Sequence, residues 1–135
     1  MIIAGMGGEL ISDIICNDFE KSKSFSKFVL QPRTYYDELR LDLQFKGFEL
    51  IDYKLAKEKG RICEVFSVHY SGESFTDNKV ISDKLLKSND PLLCEYIQYK
   101  INSRENVLAN LINANDYPKE KVAALKEEIK FLNSL

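Results

Sequence analysis

The amino-acid sequence predicts an α/β fold: two parallel strands with helices, then an antiparallel strand hairpin, then two C-terminal helices. Within residues 2–11 a short apolar strand runs into three glycines and then into apolar residues at helical spacing, and a second apolar strand follows. Alternating apolar residues fill the middle of the chain, and helix-period apolar residues fill its last third. Strand, helix and strand in this order form a βαβ unit with a right-handed crossover.

Length and composition are typical of one globular domain with a small addition. The chain has 135 residues, of which 44% are hydrophobic and 30% charged, and its formal net charge is -2. This charge excludes a uniformly basic nucleic-acid-binding protein, so phosphate binding must use a local patch. Two groups of cations offer such a patch, although a charged, solvated surface explains such groups more often: Lys21, Lys23, Lys27, Arg33 and Arg40, and then Lys54, Lys57, Lys59 and Arg61.

No sequence feature indicates a membrane segment, a secretion signal or a metal site. Every apolar run is shorter than the roughly 20 residues that span a bilayer, and the first residues lack the pattern of a signal peptide. Cys16, Cys63 and Cys94 are widely spaced, and a single histidine accompanies them. We therefore expect a cytoplasmic protein with free thiols and neither disulfides nor bound metal.

The glycine cluster at residues 5–8 is a candidate binding site at the start of the first helix. Glycines let a ligand approach the backbone, and a helix N-terminus presents free N–H groups. The same pattern also occurs where a helix merely packs closely on a sheet. The helix is predicted from Gly8 to about Phe19, and a second strand over residues 27–32 ends at a proline.

The middle of the chain is predicted to contain a second helix and a strand pair. Thr34 and Asp37 resemble a capping box, and Gly47 marks the helix end. Two strands, over residues 48–55 and 62–70, are joined by a turn that contains a glycine. We expect this pair to lie antiparallel at an edge of the sheet.

The remainder of the chain is predicted to be helical. We therefore divide the chain into a partial α/β domain, residues 1–72, and a helical module, residues 73–135. Asp90 followed by proline has the residue types of a helix N-cap and first turn. The polar segment 113–118 interrupts the helical pattern, and a coiled-coil-like seam follows at Val122, Leu125, Ile129 and Leu132. Two such helices form an antiparallel helical hairpin.

In this order the motifs resemble the bacterial tRNA (adenine-22-N1) methyltransferase family. The matching segments are Ile3-Ala4-Gly5-Met6-Gly7-Gly8, Leu30-Gln31-Pro32, Glu38-Leu39-Arg40 with Gly47-Phe48, Gly60 with Cys63-Glu64-Val65, and Asp90-Pro91-Leu92-Leu93. The resemblance implies a class I methyltransferase of Rossmann type, S-adenosylmethionine as methyl donor and tRNA as substrate. It also implies that the chain is the C-terminal half of such a sheet. The main cofactor-binding elements of that fold lie upstream, so we expect this chain alone to be nearly inactive.

The same resemblance suggests catalytic and cofactor-binding residues. It assigns cofactor contacts to the loop where the base meets the donor methyl group, Gly5, Met6, Gly7 and Gly8. It assigns catalysis to Gln31 and Pro32, in the loop after the next strand. Adenine N1 has an in-plane lone pair, so attack on a sulfonium methyl group needs positioning and desolvation more than proton removal. The Gln31 amide can orient the base as donor and acceptor, or it can simply cap the strand end.

Substrate contacts are expected from Arg33, Tyr35, Lys100 and Arg104. Arg33 follows the proline, where a phosphate contact is a reasonable role. The Tyr35 ring can stack on a base, although such tyrosines more often belong to a core or its rim. Lys100 and Arg104 are expected on the helix face opposite the apolar seam.

Two other hypotheses stay open at this point. One is a non-catalytic RNA-binding or assembly module derived from such a methyltransferase. The other is a structural fragment that self-associates through its unpaired first strand.

Overall fold

A computed structural model describes residues 1–114 and 118–135 of the chain. Its elements are β1 (Ile2–Met6), α1 (Gly8–Asn17), α2 (Phe19–Lys23), β2 (Phe28–Pro32), α3 (Tyr36–Phe45), β3 (Phe48–Glu58), β4 (Arg61–Tyr70), α4 (Asp83–Leu86), α5 (Leu93–Ile112) and α6 (Lys119–Asn133). Part of the break predicted over residues 113–118 lies outside the described residues. None of the described helices has the length and apolar character that a membrane crossing needs.

The four-stranded sheet has the order β1-β2-β4-β3. β1 and β2 are parallel, and β4 is antiparallel to both of its neighbours. This mixed sheet with helices confirms the predicted α/β fold. Since successive side chains of a strand point to opposite faces, alternate residues of the two inner strands are buried, Phe28, Leu30, Phe66 and Val68 among them.

The chain divides into two compact units, Met1–Pro91 and Leu92–Leu135. The first unit extends past the boundary predicted after residue 72, because α3 anchors the segment that follows β4. The Arg40 guanidinium donates hydrogen bonds to the Asp77 carboxylate at 2.9 Å and to the Asn78 carbonyl at 2.8 Å. In the second unit α5 packs against α6.

The structure differs from the sequence prediction at the end of the first helix. α1 ends at Asn17 instead of continuing to Phe19, because Asp18 leaves the helical region with φ -130° and ψ 76°. The Asp18 carboxylate accepts a hydrogen bond from the Lys21 N–H at 3.2 Å and so caps the short helix α2.

Both predicted caps further along the chain are wrong. α3 begins after Tyr35, and no side chain caps it, so Thr34 does not form a capping box. α5 begins after Leu92 instead of at Asp90. The Asp90 carboxylate accepts a hydrogen bond from the Leu55 N–H of β3 at 3.0 Å, so it tethers the segment before α5 to the sheet.

Candidate functional site

The candidate site lies at the carboxyl ends of β1 and β2. These ends meet at one edge of the sheet because the two strands are parallel, with Ala4 opposite Gln31 and Met6 opposite Pro32. Beyond the strands, the Arg33 N–H donates a hydrogen bond to the Met6 carbonyl at 2.8 Å. The glycine cluster and the segment after β2 are therefore held side by side.

Gly5 is an extra residue in the β1–β2 pairing. Its neighbours Ala4 and Met6 pair with consecutive residues of β2, and Gly5 itself has φ +73°. This is a β-bulge in a conformation that glycine adopts without strain. A Cβ atom on Gly5 would lie 3.7 Å from Nε and Nη2 of Arg33, so the guanidinium lies close to the bulge.

Gly7 and Gly8 dock against the segment that follows β2. The Gly8 N–H donates to the Thr34 carbonyl at 2.8 Å. A Cβ atom on Gly8 would lie 2.5 Å from the Tyr35 carbonyl oxygen and 2.7 Å from that of Thr34, and one on Gly7 would lie 2.9 Å from Thr34 Oγ1. Close packing inside the chain thus accounts for these two glycines. The sequence did not indicate Thr34 as their partner.

Gln31 occupies the end of β2 and is half-buried, while Pro32 beside it is buried. The Gln31 side chain has no hydrogen-bond partner within residues 1–114 and 118–135. The amide donor and acceptor of Gln31 are therefore available to a ligand at this edge of the sheet.

Tyr35 is held in an unusual conformation beside the glycine cluster. It has φ +51°, which few residues other than glycine adopt, and its side chain is 54% exposed. Its carbonyl accepts the Leu39 N–H at 2.9 Å, which fixes the start of α3. An exposed aromatic ring at a fixed position suits stacking on a base.

An acidic cleft of about 510 Å³ lies between α1 and α3. It is lined by Gly8, Glu9, Ser12, Asp13, Tyr35, Glu38, Leu39 and Asp42. The Lys46 ammonium group lies 3.0 Å from the Asp42 carboxylate, and this hydrogen bond raises the pKa of Lys46. The remaining carboxylates disfavour phosphate in the cleft. No group of three or more metal-ligating side chains is present in the part of the chain that the structure describes.

Lys100 and Arg104 belong to the second unit and are not exposed as the sequence prediction required. Lys100 is 2% exposed, with its ammonium nitrogen 5.0 Å from the centre of the Tyr96 ring. Arg104 Nε lies 2.9 Å from Glu128 Oε2, and the Arg104 side chain is 19% exposed. The exposed position expected for Lys100 is wrong. A tRNA contact by Arg104 stays a prediction.

Comparison with known proteins gives a family match over nearly the whole chain. The sequence model of the tRNA (adenine(22)-N(1))-methyltransferase family matches residues 1–134. The tRNA (adenine(22)-N(1))-methyltransferase of Bacillus subtilis (strain 168) is 23% identical over an alignment of 142 residues. That alignment covers 98% of this chain and 60% of the relative.

Two solved structures show the same fold. A protein of the NADB-Rossmann superfamily from Streptococcus agalactiae has a TM-score of 0.82 and 29% identity, covering 98% of this chain and 57% of that protein. A candidate tRNA (m1A22) methyltransferase from Streptococcus pneumoniae, in complex with S-adenosyl-L-methionine, has a TM-score of 0.78 and 24% identity, covering 98% and 58%. The chain thus spans less than two thirds of each relative.

Proposed function

Because the chain belongs to the tRNA (adenine(22)-N(1))-methyltransferase family, we propose that it forms the substrate-binding part of an enzyme that methylates adenine N1 in tRNA. The observation that carries this proposal is the docking of the glycine cluster on the segment after β2. Ligands of open α/β sheets bind at the carboxyl ends of the strands, and this is where the two segments lie. A cytoplasmic location accompanies this function.

We assign the main cofactor-binding elements to the part of the relatives' length that this chain does not span. The chain covers 60% of the Bacillus subtilis enzyme. In the described residues β1 is an edge strand, and its Ile2 side chain is 76% exposed. The proposed enzyme pairs this edge with further strands. The alternative is that two copies of this chain associate through the same edge of β1.

S-adenosylmethionine, when bound, supplies an electrophilic methyl group. The residues present fit a base beside such a donor, since the Gln31 amide has no partner in the described chain. Gln31 orients the adenine by accepting from its exocyclic amino group, which leaves the N1 lone pair free for attack. The backbone of Gly5 and Met6 forms the wall of the pocket beside the donor, and buried Pro32 fixes the end of β2.

The surrounding residues hold the rest of the nucleotide. Tyr35 stacks on the base from its exposed position at the start of α3. Arg33 is exposed beside the Gly5 bulge and contacts a phosphate. Because N1 lies on the Watson–Crick edge, the target base is unpaired or flipped when it enters.

Titration of this chain with S-adenosylmethionine is expected to give no tight binding, because the main cofactor-binding elements are assigned elsewhere. Isothermal calorimetry measures this directly. As a control, the same titration uses a protein that restores the full length of the relatives. Micromolar binding by the present chain would contradict the assignment.

In that full-length protein, replacing Gln31 with alanine is expected to lower kcat/KM for methyl transfer to tRNA about tenfold, the loss of roughly one hydrogen bond in the transition state. Cofactor affinity is expected to stay unchanged. Gln98→Ala is the matched control, since the Gln98 amide is exposed and donates to Asn102 on the same helix, at 2.8 Å. An unchanged rate for Gln31→Ala would remove this residue from the site. Binding of tRNA without any methyl transfer would favour the non-catalytic RNA-binding module.

A further inference from the structure

The β3–β4 pair continues beyond the end of β2, the strand that lies next to β4. β2 pairs with β4 only from Phe66 to Val68, whereas β3 and β4 stay paired as far as Glu58 and Arg61. Residues 54–65 therefore form a two-stranded arm, which we call the ribbon. Its tip lies five residues before Phe66, about 17 Å along the strand at the usual rise per residue.

The ribbon extends past the same end of the sheet as the candidate site. Phe28 is opposite Val68 and Leu30 is opposite Phe66, so β4 runs against β2. Residues 61–63 of β4 consequently lie beyond Pro32, the carboxyl end of β2, and this is the end that carries Gln31 and the glycine cluster. An RNA that brings a base to this site passes the ribbon.

The ribbon concentrates positive charge at its tip. The whole ribbon, residues 54–65, contains four cations and two carboxylates, a local charge of +2 in a chain of net charge -2, and three of the four cations lie within residues 57–61. Lys59 and Gly60 form the turn, with φ +50° and +78°, the signs of a tight type I′ hairpin turn. Lys59 and Arg61 are exposed, and nothing lies within 4 Å of a Cβ atom built on Gly60.

The base of the ribbon is fixed in place. The Tyr53 hydroxyl donates a hydrogen bond to the Glu64 carboxylate across the two strands, and the Tyr53 ring stacks on Phe66 at 5.3 Å. Burial raises the pKa of Tyr53 well above its ordinary value, so the hydroxyl remains a donor at neutral pH. The tip cations are therefore held on a defined arm.

We propose that the ribbon binds the phosphate backbone of the substrate RNA through Lys59 and Arg61, beside the entering base. The proposal rests on the proposed function for the identity of that RNA as tRNA. Charge complementarity supports it, since the cleft between α1 and α3 is lined by carboxylates and disfavours phosphate, whereas the ribbon has a net positive charge.

The test is the binding of fluorescently labelled, unmodified tRNA to this chain, followed by anisotropy over a series of salt concentrations. K59E/R61E is expected to weaken binding at least about tenfold at low salt, and to lower the slope of log affinity against log salt by about two. The control K79E/K87E makes the same change of charge on two exposed lysines outside the ribbon and is expected to bind like the unaltered chain. Circular dichroism confirms that each variant is folded.

Two further measurements sharpen the result. K59Q/R61Q removes the cations without adding repulsion and is expected to give the same loss of slope with a smaller loss of affinity. Equal tRNA binding by K59E/R61E and the unaltered chain would overturn the ribbon proposal and leave the proposed function standing, since methyl transfer tests that separately. Failure of the unaltered chain to bind tRNA would also overturn it. So would equally tight binding of a polyglutamate probe, which would assign the ribbon to an acidic protein partner.

Discussion

Replacing Asp77 with alanine is expected to lower the free energy of unfolding by about 3–5 kcal/mol, because it leaves the Arg40 guanidinium buried without its main counter-ion. The Arg40 side chain is 0% exposed, and that of Asp77 is 2% exposed. A second carboxylate, that of Asp37, lies 3.3 Å from Arg40 Nη2. Within the described residues Arg40 Nε already has no hydrogen-bond partner, so a second lost partner adds to an existing desolvation cost. Such a loss is a large part of the stability of a typical domain.

Urea denaturation measures this effect, and Asp52→Ala provides the matched control. Asp52 also faces a cation, Lys54, but at 3.9 Å and with the Asp52 side chain 58% exposed. Exposed ion pairs contribute at most about 1 kcal/mol, so the control is expected to stay close to the unaltered protein. The double variant R40M/D77A is expected to recover part of the loss, because no charge is then left buried alone. Equal stability of the Asp77 and Asp52 variants would contradict the argument.

The sequence predicted those parts of the fold that depend on local periodicity. β2 was expected to end at a proline, and it ends at Pro32. Gly47 was expected at the end of the second helix, and it follows α3 with φ +104°. Parallel strands that follow each other also place the glycine cluster beside the segment after β2. These features follow from spacing and from the conformational limits of proline and glycine.

What the sequence did not predict depends on partners far away in the chain. Thr34 and Asp90 have the residue types of helix caps, but α3 begins after Tyr35 and α5 after Leu92, and the Asp90 carboxylate accepts the N–H of the distant Leu55. Arg40 was grouped with cations of a patch or a solvated surface, although its side chain is buried and pairs with the buried Asp77. Residue type indicates what a side chain can bind, whereas only the tertiary structure decides which partner it meets.

Replacing Gly8 with alanine is expected to lower the free energy of unfolding by about 3 kcal/mol, the upper range for overpacking a well-packed site. The added methyl group would lie 2.5 Å from the Tyr35 carbonyl oxygen, which is backbone and has little freedom to move. The helix α1 must then shift away from Thr34 and Tyr35. In the full-length protein we expect methyl transfer to be lost as well, because the two walls of the candidate site separate.

Gly60→Ala is the matched control for this prediction. Gly60 has φ +78° but open space around it, so alanine there meets conformational strain of about 1–2 kcal/mol and no steric clash. Urea denaturation of both variants therefore separates backbone strain from exclusion of a side chain. If Gly8→Ala were as stable as the unaltered chain, the contact of Gly8 with Thr34 and Tyr35 would tolerate an added methyl group. The geometry of the site would then depend on the Gly5 bulge and on the hydrogen bond between Arg33 and Met6. A large loss at Gly8 alone assigns that geometry to the contact with Thr34 and Tyr35.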